Sequence, residues 1–593
     1  MAMMNAELKP RSSLIFSSSP SQSHATPLPH FGPRLGEVNV QRQEGAARIA
    51  IKTPGMMTAT SRGVVPHLSR DHVRLTRAIC WVHVPFETFL EHNPPLPITQ
   101  PGPRPLHQFL GFSPADHVLS VSARDPFDGR DMPANNKDYV ATYCIRGVRK
   151  LTPEVWAQYD AACNPDIITA LSDTPFTSAP HSNKRTHKSL ERSTAWLANL
   201  LHSVAARRRE VGSDGEPLTG SLSNVLVHMA GGAVVQARKA FAEGLMEDLE
   251  EFKAVNPSPY RRLDDGVAGY VFDLVPLRAA LSARSKAADE DLGDDADTLK
   301  PRGAINTLTP TSSADTSAMD PAALSEVLRA SLQPLPTHKP RLVNSARSPH
   351  EMLRLVRDVG IDLFDAHWAQ RAADIGVALD FAFPVALGDT QPVDARVAGS
   401  PRTKVRPGEK MDLGHNLYSG DYAHDHSRLA ANFLDGRSHA QQTAEGSPDA
   451  RPVCPCGACS PRSPGTHILH SALDRTSWEG QAGADTLEPP FMRSYVHHLL
   501  HTHEMSAHSL LVMHNLSVLD AFFVGIRSVL EHAGTEEFNR QVDLFLETYD
   551  EEMVLFDEAK VDWVQVEMAR GKGRLAREKI KQAESSLGTS VDV

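Results

Sequence analysis

Residues 341–365 read RLVNSARSPHEMLRLVRDVGIDLFD. A short strand-like start around 341–342 is followed by apolar positions at helical spacing over 351–359. A second short apolar run lies at 362–364. Strand, helix and strand within 25 residues is a βα unit, which belongs to a parallel sheet or barrel. Working towards the N-terminus, the same alternation recurs. Short β-branched runs lie at 118–121, 138–145, 166–170 and 223–227, and helical periods at 152–162, 188–208 and 321–332. The fold class expected from the residues is therefore α/β.

Composition sets the boundaries. Residues 1–27 are rich in Ser, Pro and His and read as a disordered arm, and 282–317 read as a low-complexity insertion too polar to order itself. The first part of the folded region is then 28–281 and the second 318–434. Further loose segments fall near 388–410, 435–452 and 461–489, and the last hundred residues are mostly helical, with a tail over 536–593. The 593 residues carry a net charge of −11, which excludes a nucleic-acid coat over the whole surface but leaves room for a local basic patch. No run of about 18 uninterrupted apolar residues marks a membrane span. Six cysteines are too few for a disulfide scaffold, and no charged-then-apolar secretory leader opens the chain.

Three of those six cysteines, Cys454, Cys456 and Cys459, fall in the turn CPCGAC. Thiolates at this spacing can converge on one tetrahedral ion, and the small residues between them let the backbone curl around it. A structural Zn2+ with a fourth, imidazole ligand is the expected occupant. The segment 495–532 offers His497, His498, His501, His503, His508 and His514. The other cysteines, Cys80, Cys144 and Cys163, are scattered and read as ordinary buried thiols.

Several stretches together resemble the tRNA-guanine transglycosylase family. They are FGPRLGEVNV (31–40), IKTPGMMTATSRGVVPHLSRD (51–71), YCIRGVRKLTPEVWAQYDAACNPDIITALSD (143–173) and SNKRTHKSLERSTAWL (182–197). HNLYSGDYAHDHSRLA (415–430), the cysteine array and RSYVHHLLHTHEMSAHSLLVMHNL (493–516) complete the set, in family order. The resemblance implies an irregular (β/α)8 TIM barrel with an inserted zinc-binding subdomain, over 435–535 here, and C-terminal helices. It also implies that His514 is the fourth ligand, one zinc per chain.

The family exchanges a purine base at C1′ of a tRNA ribose through a carboxylate nucleophile. GIDLFDAHW (360–368) resembles the strand end that carries this nucleophile and puts Asp365 there. The elements around it depart from the pattern. Ala366-His367-Trp368 replaces the anticodon-gripping loop, Arg124-Asp125-Pro126 replaces the second-acid loop, and the purine-binding strand is reduced to Asp265-Gly266-Val267-Ala268-Gly269-Tyr270. Asp365 is accordingly expected to be a vestigial nucleophile. The resemblance then implies a non-catalytic, cytoplasmic subunit that pairs with a catalytic transglycosylase and helps seat tRNA for queuosine modification, with peripheral association with the mitochondrial outer membrane as a second location. The alternatives are a diverged active transglycosylase using Asp365, or a zinc-containing scaffold that binds queuine or tRNA. For tRNA, Lys184, Arg185 and Lys188 form one candidate patch and the basic cluster from Arg570 to Lys581 another. For the partner subunit, Tyr495, Leu499, Leu500, Met513, Leu516, Phe522 and Phe523 offer an apolar surface.

Overall fold

A computed structural model describes residues 14–18, 29–40, 49–130, 132–175, 181–210, 224–248, 260–290, 321–385, 405–406, 408–431, 433, 454–461 and 488–569. The chain divides into two compact units. One comprises Met1–Pro66, Ile79–Trp368 and Arg527–Val542, the other His67–Ala78, Ala369–Ile526 and Asp543–Val593.

The first unit opens with an antiparallel sheet of β1 (Leu14–Ser18), β2 (Gly36–Val40) and β3 (Ile49–Thr53). β1 lies inside the stretch that composition assigns to a disordered arm. Leu14 and Phe16 turn inward while Ile15 stays exposed, the period-2 pattern of a half-buried strand. The barrel strands β4 (Gly55–Ala59), β5 (Trp81–Pro85) and β6 (Val118–Ser122) follow. A hairpin of β7 (Val140–Cys144) and β8 (Gly147–Leu151) comes next. Then come β9 (Ile167–Thr169), β10 (Asn224–His228), β11 (Val267–Asp273), β12 (Arg341–Asn344) and β13 (Leu363–Asp365). β4, β5, β6 and β9 to β13 close one parallel barrel in the order β10-β11-β12-β13-β4-β5-β6-β9. The run 138–145 is thus a correction. It pairs antiparallel with β8 outside the barrel, because Gly147 takes φ +106° and turns the chain back.

Leu14, Phe16, Val38, Val40, Ile49 and Ile51 join Trp81, Val118, Ile167 and Leu363, each the first residue of its strand, in one buried cluster. The antiparallel sheet therefore plugs the N-terminal end of the barrel, and the C-terminal end is left for function. The βα unit over 341–365 forms as its pattern requires. Ser348 caps the helix Pro349–Asp358 by accepting from the Glu351 N–H, with Pro349 at the first turn. Glu351 accepts in turn from the Arg347 N–H at 2.7 Å, and both of its oxygens accept from Arg278 Nη2 at 2.8 and 2.6 Å.

The second unit departs from the boundary at 434 drawn by composition. After Trp368 the strands β14 (Val377–Leu379) and β15 (Gly414–Asn416) pair antiparallel with each other rather than extending the parallel ladder. Helices Arg493–His501 and Val554–Ala569 belong here, with most of Met505–His532 and the C-terminal part, from residue 543, of Gly534–Thr548. Phe381, Phe522, Phe545 and Tyr549 interlock at the core, ring centroids 4.6 to 6.3 Å apart. Met505–His532 is long and apolar enough to cross a membrane by length and composition, yet 78% of its apolar window is buried inside the protein, as in a core helix. The helix Leu274–Glu290 runs into the stretch assigned to the low-complexity insertion. The rest of that insertion, the segments 386–404, 434–453 and 462–487, and the basic tail beyond 569 lie outside the described residues.

Candidate functional site

Cys454, Cys456 and Cys459 sit in a tight turn, and His514 lies on the helix Met505–His532. All four are buried, and their ligand atoms lie within 4.8 Å of one another. The Nδ1 of His514 is 3.4 Å from Cys459 Sγ and 3.8 Å from Cys456 Sγ. A tetrahedral zinc with bonds of about 2.3 Å to sulfur and 2.0 Å to nitrogen requires S···N edges of about 3.5 Å. The distances bracket that value. The other ring nitrogen, Nε2, lies 2.9 Å from the Leu379 carbonyl, so it carries the proton and leaves the Nδ1 lone pair for a metal.

The turn is shaped for convergence. The Cys459 N–H points at Cys456 Sγ at 3.3 Å, the Ser460 hydroxyl donates to the Cys454 carbonyl, and Phe491 N–H bonds the Ala458 carbonyl. A side chain at Gly457 would press on Met513, next to His514, at about the 3.1 Å where its Cβ would stand from Met513 Sδ. Burial and the two neighbouring thiols push the Cys454 thiol well above its usual range. Three thiolates can coexist here only around a cation. The chain thus presents a Cys3His cluster capable of coordinating a metal ion. The remaining histidines have other partners. His497, His501 and His508 pair with the carbonyls of Leu417, Tyr418 and Ala373, His503 is 3.7 Å from Glu567, and His498 is exposed.

Asp365 ends β13 at the C-terminal mouth of the barrel, and the side chain is only 2% exposed. Each oxygen is engaged by a backbone donor. Oδ2 accepts from the Ser345 N–H, and Oδ1 accepts from the His367 N–H at 2.9 Å. Above it, the Phe127 ring stacks on His367 with centroids 3.5 Å apart, and the Ser345 hydroxyl donates to the Pro126 carbonyl at 3.1 Å. Burial pushes the Asp365 carboxyl up to about 7, against the pull of the two backbone N–H groups and Arg278. An attacking carboxylate needs charge and a free lone pair directed at C1′. This one is buried and tied to Ser345 after β12 and to His367 at the start of the next helix.

The sequence profile described as Queuine tRNA-ribosyltransferase matches residues 31–255 and 486–549. The "Queuine tRNA-ribosyltransferase accessory subunit 2" of Aedes aegypti is 23% identical over 531 residues, covering 89% of this chain and 92% of its own length. The protein of the same name from Xenopus tropicalis is 23% identical over 505 residues (84% and 94%), and that of Schizosaccharomyces pombe 22% over 515 (86% and 81%). The chain is similar to the queuine tRNA-ribosyltransferase family over these segments.

The other motif residues have structural partners. Asp125 accepts from the Phe127 N–H at 2.9 Å in its own loop, and burial pushes it up to about 6. Arg124 spends its guanidinium on Ala141 and Thr174 carbonyls and on Asn135 Oδ1. Gly266 and Gly269 are explained by packing, since a Cβ on either would crowd Leu201 or Leu226 and Pro340 within about 3.0 Å. Sequence reasoning missed Asp173, the carboxylate that ends the 143–173 motif. Fully buried, it takes Arg185 at 2.6 and 2.8 Å, Arg192 at 2.9 Å and Asn135 Nδ2 at 2.8 Å. The signal was present in the basic helix 182–197 of the family motif, which supplies both arginines.

That clamp corrects the expected tRNA patch. Lys184 and Lys188 are exposed, but Arg185 is committed to Asp173. The expected partner surface is corrected too. Leu499, Leu500, Met513, Leu516, Phe522 and Phe523 are all buried within the second unit, where Leu500 packs against Gly376, and only Tyr495 is exposed. A helix lined on several faces with apolar residues is a core helix.

Proposed function

We propose that this chain is the non-catalytic accessory subunit of a heterodimeric queuine tRNA-ribosyltransferase. It pairs with a catalytic subunit that exchanges guanine for queuine at the wobble position of tRNAs with GUN anticodons, and it helps seat the tRNA. Cys454, Cys456, Cys459 and His514 hold one Zn2+ in a structural role. Four buried protein ligands leave no open position for water or substrate, which is what separates a structural zinc from a catalytic one. The ion ties the 454–461 turn to the helix of His514 and, through the Leu379 carbonyl, to β14.

The observation that carries the non-catalytic reading is the near-complete burial of Asp365 with a backbone donor on each oxygen. Base exchange requires a carboxylate aimed at C1′ with groups that hold the purine and move its proton. Here Asp365 instead holds Ser345 and His367 in place. Asp365→Asn keeps the size of the side chain and one acceptor oxygen. Assembled with a wild-type catalytic subunit, it is expected to support base exchange within about twofold of wild type, whereas removal of a true catalytic group costs about 10²-fold or more. A covalent adduct between tRNA and this chain that disappears in Asp365→Asn would make the chain an enzyme and overturn the proposal.

A further inference from the structure

We infer that the β7–β8 hairpin is a phosphate-backbone contact for tRNA. The inference rests on the accessory-subunit reading and goes on to name the surface that does the seating.

Three cations crown the hairpin. Arg146 lies in the turn, and Arg149 and Lys150 follow on β8, all exposed. None of the three makes an ion pair with an acidic residue among the described residues. The nearby carboxylates are otherwise engaged: Glu91 accepts from the Ile145 N–H at 2.9 Å, and Asp128 is held by Arg130. Asp138, exposed near the base of β7, is one acidic residue on this side. In a chain of net charge −11, three free cations on one short ribbon form a local positive site.

Strand geometry spreads these charges around the ribbon. Neighbouring side chains on a strand point to opposite faces, so Arg149 and Lys150 flank it on two sides while Arg146 stands at the tip. Ile145 and Val148, 61% and 36% exposed, make the tip apolar between them. From Arg146 in the turn to Arg149 on β8 the chain covers at most about 10 Å, within reach of two to three successive phosphates at roughly 3.4 Å of rise per nucleotide. Cations on both faces suit a ribbon set between two stretches of phosphate backbone better than one laid against a flat acidic surface.

The ribbon is also held rigidly, as a contact that positions a large ligand should be. Cys144 Sγ donates to the Glu87 carbonyl at 2.9 Å, and Arg124 Nε donates to the Ala141 carbonyl at 2.7 Å. The Ala141 N–H bonds Asn135 Oδ1, and Asn135 is itself tied to Asp173. Lys150 lies over the Tyr139 ring at 4.7 Å and Arg130 over Tyr143 at 3.9 Å, which stiffens the outward face. Glu87 follows β5 and Arg124 follows β6, so the hairpin stands at the C-terminal end of the barrel.

The test uses the full zinc-loaded chain and a labelled, unmodified tRNA transcript, with affinity read by fluorescence anisotropy between about 50 and 200 mM KCl. The triple variant Arg146→Gln, Arg149→Gln, Lys150→Gln is compared with wild type, and a second carries Glu at the same positions. The Gln variant is expected to bind at least about tenfold more weakly at low salt, with the log–log salt slope shallower by about two to three, and the Glu variant more weakly still. Zinc content and melting temperature should stay at wild-type values, since all three side chains are exposed. Unchanged affinity and slope in both variants would overturn the inference while leaving the accessory-subunit reading standing. Loss of pairing with the catalytic subunit at unchanged tRNA affinity would also overturn it, by making the hairpin a protein contact. A wild-type chain with no tRNA affinity would remove the seating role and this inference together.

Discussion

Cys456→Ala is expected to lose bound zinc and to lower the melting temperature of the second unit by more than about 10 °C. Structural zinc contributes about 10 to 16 kcal/mol in small zinc-binding peptides, and loss of one of four ligands forfeits much of it. The turn, β14 and the helix of His514 share that energy, because His514 bonds Leu379 while facing the thiols. A destabilisation of about 4 kcal/mol would move the melting point of a unit this size by about 8 to 16 °C. Atomic absorption reports the metal and circular dichroism the transition. A chelator should reproduce the shift in wild type and add nothing in Cys456→Ala. Cys163→Ala, at a buried cysteine outside the cluster, should keep its zinc. Full zinc occupancy in His514→Ala would remove His514 from the ligand set.

Asp173→Ala is expected to destabilise the first unit by about 3 to 5 kcal/mol, the usual cost of leaving a buried charge without its partner. Arg185 and Arg192 are each about a fifth exposed and converge on this one carboxylate, and the Asn135 amide donates to it as well. Removing the carboxylate strands two guanidinium groups at once. The damage should spread, because Asn135 also orients Arg124 and the Ala141 N–H at the foot of the hairpin. Asp173→Asn keeps an acceptor and loses the charge, so its melting point should fall between those of Asp173→Ala and wild type. Equal melting points for all three proteins would mean that the clamp contributes nothing to stability.

What could be read from the sequence was what is local. The βα unit at 341–365 carries its own helix cap and apolar spacing, so strand, helix and strand appear where the pattern puts them. The cysteine array falls in six consecutive residues, and proximity alone proposes a metal. The fourth ligand was not local. Seven histidines share the 495–532 stretch, and only the fold decides which faces the thiols, so His514 followed from family resemblance rather than spacing.

The misses are all questions of which way a residue faces. Leu14 and Phe16 make a strand because the barrel floor is there to bury them, a fact that the Ser- and Pro-rich composition around them hides. Asp173 became a clamp only when a helix a dozen residues later folded back onto it. Leu499 and Leu500 read equally well as interface or core until the unit around them was assembled. At 138–145 the strand was correctly placed but wrongly assigned to the barrel, although Arg146-Gly147 carried the turn signal.

The central claim is that this chain supports base exchange without performing it. The most direct measurement is incorporation of labelled guanine into unmodified tRNA by the purified chain alone, by a catalytic subunit alone, and by the two together. The account predicts no incorporation above background for the chain alone and full activity only for the mixture. Sustained turnover by the chain alone, abolished by Asp365→Asn, would contradict it.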